Sequence, residues 1–100
     1  MKKMQLLHPS GKPSNEMDVE KYQILKTALH NCLHQHPENT FSSLLIAVEK
    51  KLKENNSTIA GSLQWILMLV LLDLEARKEI SSTGLHAEGM KYSLNKQYQH

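Results

Sequence analysis

The chain has 100 residues, 40% of them hydrophobic and 22% charged, which suits one ordinary globular domain with little apolar surface to spare. A formal net charge of +2 is a weak electrostatic footprint for a nucleic-acid binder, and of the twelve basic residues only Arg77 has the planar fork that reads guanine. The single cysteine, Cys32, excludes an internal disulfide framework and a CxxC site, and the start MKKMQLLHPSGK holds no apolar stretch long enough for a signal peptide, so the expected setting is cytoplasmic.

Residues 1–15 carry His8-Pro9, Gly11, Lys12-Pro13, Ser14 and Asn15. Two prolines and a glycine so close together predict an extended arm, in which Met4, Leu6 and Leu7 can form a short strand or an anchor. Asn15 or Asp18 caps a first helix. In it Tyr22, Leu25, Leu29, Cys32 and Leu33 recur at three- and four-residue steps with Ala28 beside them, while Glu20, Lys21, Lys26 and Asn31 face away. His36-Pro37 ends it, because proline disfavours helical geometry in the residue before it.

Asn39 or Thr40 caps a second helix whose stripe is Phe41, Leu44, Leu45, Val48 and Leu52. Glu49, Lys50, Lys51, Lys53 and Glu54 form its solvated side, and Asn55-Asn56-Ser57 reads as the exit loop. A third helix opens at Gly61-Ser62 with Ser62 as cap, or earlier at Ser57 or Thr58. From Leu63 to Leu72 only Gln64 is polar, and the run then turns amphipathic through Asp73, Glu75, Arg77, Lys78 and Glu79. A helix apolar on nearly all sides must be covered nearly all round. The run is too short to cross a bilayer, which needs about 20 such residues.

After Ile80 come Ser81, Ser82, Thr83 and Gly84, then Leu85, and Gly89 precedes Met90. Met90, Tyr92 and Leu94 alternate with Lys91 and Ser93, which is strand periodicity. A strand near Ile80 is expected to pair with it, and residues 95–100 to fray. Three helices followed by a β-hairpin predict an α+β, mainly helical winged helix-turn-helix domain over 16–94, between the arm and the tail. Its expected core is Tyr22, Leu25, Leu29, Leu33, Phe41, Leu44, Leu45, Val48, Leu52, Leu67, Leu71, Leu74 and Ile80.

The Pro9-Ser10-Gly11-Lys12 arm, Asp18-x-x-Lys21-Tyr22, Gly61-Ser62-x-x-Trp65 and above all Leu72-Asp73-Leu74-Glu75-Ala76-Arg77 carry a resemblance. With them the chain resembles a small family of uncharacterised prokaryotic single-domain proteins, a domain of unknown function with winged-helix character. In that family pattern an aromatic residue follows the tryptophan and a lysine precedes LDLEAR; this chain has Ile66 and Leu71 instead, which makes the helix greasier. The resemblance implies a fold and no established activity.

Four chemistries follow from these residues. In a winged helix the third helix enters the major groove, so Ser62 and Gln64 are the candidate base readers, with Lys50, Lys51 and Lys53 on the second helix and Lys91 in the wing as phosphate contacts to double-stranded DNA. Trp65, Met68, Leu69 and Leu72 lie on one side of the third helix and are the candidate interface of a homodimer or a protein partner. His30 and His34 share a helical face at the spacing of two metal ligands, but no third ligand and no general base accompany them, so no metal or other cofactor is expected. No phosphate loop or nucleophile constellation marks an enzyme, and Asp73 with Arg77 reads as an i, i+4 ion pair worth a few tenths of a kcal/mol. The sequence therefore predicts a non-enzymatic dimeric binding module, with DNA as first partner and a protein-interaction role as alternative.

Overall fold

A computed structural model describes residues 2–35, 39–56, 61–83 and 91–95. They form β1 (Lys3–Leu7), β2 (Pro13–Asp18), α1 (Val19–Gln35), β3 (Asn39–Thr40), α2 (Phe41–Glu54), α3 (Leu63–Ala76), β4 (Ile80–Thr83) and β5 (Lys91–Leu94). The described residues are α+β and mostly helical, with three helices and two small antiparallel sheets. Among the described residues no helix is long and apolar enough to cross a membrane.

The segment expected as an extended arm is a two-stranded hairpin whose second strand runs on to Asp18. Lys3 lies opposite Asp18, Met4 opposite Met17 and Gln5 opposite Glu16; the register then shifts, so that Leu7 meets Pro13. In the turn the Gly11 N–H donates to the His8 carbonyl at 2.8 Å and the His8 N–H to the Lys12 carbonyl at 3.0 Å. Gly11 has φ 92, a region glycine enters without steric cost. Pro13 is tolerated because it opens its strand. A lone two-stranded hairpin is marginal in water; this one is held by Leu6, fully buried, and by Met4 and Met17, packed against the core.

Each helix starts on a short polar side chain. Asp18, rather than Asn15, caps α1, its Oδ1 accepting the Glu20 N–H at 2.9 Å. Thr40 caps α2 through the Ser43 N–H at 3.2 Å, and Ser62 caps α3 through the Trp65 N–H at 3.3 Å. The stop expected at His36-Pro37 and the alternative start at Ser57 or Thr58 lie outside the described residues. After Arg77, α3 closes with the Glu79 N–H on the Leu74 carbonyl at 2.9 Å and the Lys78 N–H on the Glu75 carbonyl at 3.0 Å, Lys78 taking φ 63. A residue with a Cβ is strained there by about 1–2 kcal/mol.

The second sheet has the order β3-β5-β4. β5 is central: Asn39 pairs with Tyr92 and Thr40 with Lys91 on one side, and Ile80 pairs with Leu94 and Ser82 with Tyr92 on the other. The expected alternation holds from Lys91 onward, since Tyr92, Leu94 and Ile80 are buried while Lys91 is exposed. Met90, the segment with Gly84, Leu85 and Gly89, and residues 96–100 of the expected tail lie outside the described residues. β3, two residues between α1 and α2, has no counterpart in the sequence-based expectation, which gave Asn39 and Thr40 only a capping role.

The core is where the three helices meet. The α1 stripe from Tyr22 to Leu33, Leu44, Val48 and Leu52 of α2, and Leu67, Val70, Leu71 and Leu74 of α3 are buried together, closed by Leu6, Ile80, Tyr92 and Leu94. Phe41 and Leu45, expected in the core, are only partly buried at its edge.

Candidate functional site: the three sides of helix α3

The helical repeat divides α3 into three sides. Leu67, Val70, Leu71 and Leu74 face the core. Leu69, Asp73 and Arg77 form a second side, which Asp73 and Arg77 tie to the N-terminal hairpin. Gln64, Trp65, Met68 and Leu72 form a third, open side: Gln64 is exposed, Trp65 is 59% exposed, and Met68 and Leu72 are half-buried. The expected interface set is therefore split. Trp65, Met68 and Leu72 share the open side, whereas Leu69 is only 9% exposed and belongs to the core.

What closes the second side is polar. Asp73 is fully buried. Its Oδ1 accepts the Leu7 N–H at 2.8 Å, its Oδ2 accepts the Tyr22 hydroxyl at 2.6 Å, and Arg77 Nε donates to both oxygens at 3.1 and 2.9 Å. Arg77 Nη2 also reaches the Gln5 carbonyl at 3.4 Å. One carboxylate thus ties together β1, α1 and α3. Burial first, then the bond to Asp73, push the Tyr22 phenol above its ordinary value of 10.0, so it remains a donor. Arg77's own hydrogen bond to Asp73 raises its guanidinium. The i, i+4 pair expected as a modest surface contact has a buried acid, and breaking such a pair is far more costly than breaking an exposed one.

A second buried acid lies just past α3. Glu79, 6% exposed, meets Lys26 Nζ at 3.3 Å and His30 Nε2 at 3.2 Å, joining α1 to the start of β4. Nearby, the Ser82 hydroxyl donates to Glu75 Oε1 at 2.8 Å. Tyr22, Lys26 and His30 are successive i, i+4 positions on α1, so one row of that helix serves both acids. His34 continues the row, its ring centroid 6.4 Å from that of His30. Among the described residues no group of three His, Cys, Asp or Glu side chains is placed to hold a metal ion. No described buried side-chain N or O lacks a hydrogen-bond partner. The sequence shows Asp73, Arg77 and Glu79 only as charged residues on a helix; their partners Leu7, Tyr22, Lys26 and His30 are too distant in sequence to signal the contact.

The candidate DNA contacts do not gather in one place. Ser62 and Gln64 are exposed at the start of α3, with the Ser62 hydroxyl engaged as the cap. Lys53 pairs with Glu49 at 3.2 Å. Lys50 and Lys51 border a cavity with Cys32, Gln35 and Asn39, between α1 and α2. Lys91 pairs with Thr40, at the opposite end of α2. At 1.5 Å per residue that end is about 15–20 Å from the lysines of the last turns. Burial raises the Cys32 thiol above its ordinary value, against a smaller opposing effect of Lys51.

The chain belongs to a family of unknown function, DUF6958, whose sequence model matches residues 3–88. No curated protein and no solved structure matches it significantly.

Proposed function

We propose that this chain is a non-enzymatic winged-helix binding module that works in the cytoplasm as a homodimer, with the open side of α3 against protein. The order of elements supports the winged-helix assignment: a short strand between the first two helices, and a sheet in which the last strand lies between that strand and the one following α3. The observation that carries the protein-facing role is the composition of α3. From Leu63 to Ala76 it has no lysine or arginine, and its open side presents an exposed tryptophan flanked by Met68 and Leu72. Aromatic residues and methionine are enriched, and charges depleted, at the cores of protein interfaces, whereas phosphate contacts from basic residues dominate affinity for DNA. In a twofold dimer the same patch serves both subunits. The lone cysteine, buried as a thiol, fits a reducing compartment.

Sedimentation equilibrium tests this. The wild-type chain sediments as a dimer that persists at high salt, and Trp65→Asp sediments as a folded monomer. A wild-type chain that stays monomeric at the highest attainable concentration refutes it. Leu69→Asp is unsuitable, since Leu69 is in the core and its loss would unfold the domain.

DNA binding is the second function proposed, favoured by the exposure of Ser62 and Gln64 at the start of α3, where a winged helix meets base edges. Its test is a fluorescence titration with mixed-sequence duplex at low salt. Binding that weakens steeply as salt rises, and that is reduced by Gln64→Ala, supports it; no signal at micromolar protein rejects it.

A further inference from the structure

We propose that the groove between α1 and α2 binds a small apolar carboxylate, anchored by Lys51. Two facing rows build this groove. Gln23, Thr27 and Asn31 stand at i, i+4 steps on α1, and Lys51 and Asn55 at the same step on α2. Between them Ile24, Ala28 and Leu52 form an apolar floor. Ala28 and Leu52 are core residues, whereas Ile24 is 39% exposed, one of three large hydrophobic side chains left open among the described residues. The cavity is about 290 Å³, at the lower edge of the ~300–1,000 Å³ usual for small-molecule sites, so its occupant is small.

The charge of the occupant follows from what lines the cavity. Among the described residues Lys51 is its one charged lining residue, with amides and a hydroxyl around it and no acid. Lys51 is half-buried, and no carboxylate of the described residues pairs with it, although Lys26, Lys53 and Arg77 each have such a partner. A lysine whose stem is half-buried beside an apolar floor is complementary to one carboxylate carrying a hydrocarbon body. The amides of Gln23, Asn31 and Asn55 and the Thr27 hydroxyl can donate to the second carboxylate oxygen. On the other side of Lys51 lies a second cavity of about 290 Å³, lined by Lys50 and Glu54 as well, where the acid competes with an anion for the lysines. Neither cavity is lined by α3, so the site is separate from the face assigned above to protein contact.

The test uses the full chain, amide-resolved NMR, and benzoate and benzamide as probes. Benzoate shifts amides of Gln23, Ile24, Thr27, Asn31, Lys51, Leu52 and Asn55, and benzamide, the same shape without the charge, binds at least several-fold more weakly. Lys51→Met keeps the apolar stem and weakens benzoate about tenfold, the loss expected for one charge-assisted hydrogen bond. Thr27→Trp fills the cavity and abolishes the shifts, with the dispersion of the remaining amides reporting that the fold persists. The assignment is overturned if millimolar benzoate causes no shifts, if they centre on the α3 open side, or if benzamide or Lys51→Met matches the wild-type benzoate affinity. None of these outcomes bears on the dimer, which sedimentation reads independently.

Discussion

The two flanks on either side of the core face of α3 begin from similar side chains and end differently. On one flank Leu69 is buried in the core; on the other Trp65, Met68 and Leu72 remain open to varying degrees. Hydrophobicity does not separate them, since the open flank is at least as apolar. What separates them is Asp73, one turn beyond Leu69, which holds the Leu7 N–H at 2.8 Å and draws β1 across. The open flank has no such hook for β1: Leu72 is followed one turn later by Ala76, which offers it nothing to bond, and Glu75 binds Ser82 of β4 instead. A buried polar tie thus decides which part of a greasy helix is closed within the chain, and which is left for a partner.

The sharpest way to break the contrast is to remove the hook. Asp73→Ala strands the Tyr22 hydroxyl, the Leu7 N–H and the Arg77 guanidinium together, and is expected to cost about 3–5 kcal/mol by urea unfolding. A loss below about 1 kcal/mol would mean that the hairpin is held by the apolar contacts of Leu6, Met4 and Met17 alone. Tyr22→Phe removes one bond to the carboxylate and is expected to cost about 1.5–3 kcal/mol at neutral pH.

Alkali examines the same bond from the other side. The Tyr22 phenol is raised in the folded state, so its stabilising effect is fully present below its unfolded value of 10.0 and is lost as pH rises above it. Above pH 10 the unfolded chain releases this proton while the folded one retains it. Wild-type stability should then fall faster than that of Tyr22→Phe by about 1.4 kcal/mol per pH unit. The comparison with Tyr22→Phe matters because burial also raises Tyr92, with a smaller contribution from Glu75, so both proteins keep that second slope. Equal slopes for the two proteins would contradict a Tyr22 phenol buried against Asp73.

Smaller effects sharpen the picture. Lys78→Gly relieves the left-handed conformation at the end of α3 and should stabilise the chain by about 1 kcal/mol in thermal unfolding; no gain would mean that the terminal turn differs. Trp65→Asp, on the open flank, should change monomer stability by no more than about 0.5 kcal/mol, because the side chain is largely in solvent. A large loss there would show that the open flank is closed within the chain after all.

Much of the helical framework was legible. The stripes of α1 and α2 predicted their buried faces, and Asp18, Thr40 and Ser62 were among the caps expected from residue type. The hairpin was not, because Pro9, Gly11 and Pro13 interrupt any alternation and only Leu6 is fully buried in its first strand. β3 is too short to carry a period. Asp73 was legible as the partner of Arg77 but not as a buried acid, since its two other donors, Leu7 and Tyr22, are 66 and 51 residues away. Lys51 looked like any lysine of a solvated helical face; its place between two cavities depends on where α1 lies, which no local pattern encodes. Leu69 was assigned to the open flank because helical periodicity fixes a side chain's direction, not what will cover it.

Trp65 is the sole tryptophan, so its emission reports directly on the open flank of α3. The central claim, that this flank closes against a second copy of the chain, predicts a blue-shifted emission at high concentration that moves to the red on dilution and does not respond to duplex DNA at low salt. A solvent-like emission at every concentration, quenched by duplex at low salt and restored at high salt, would contradict it.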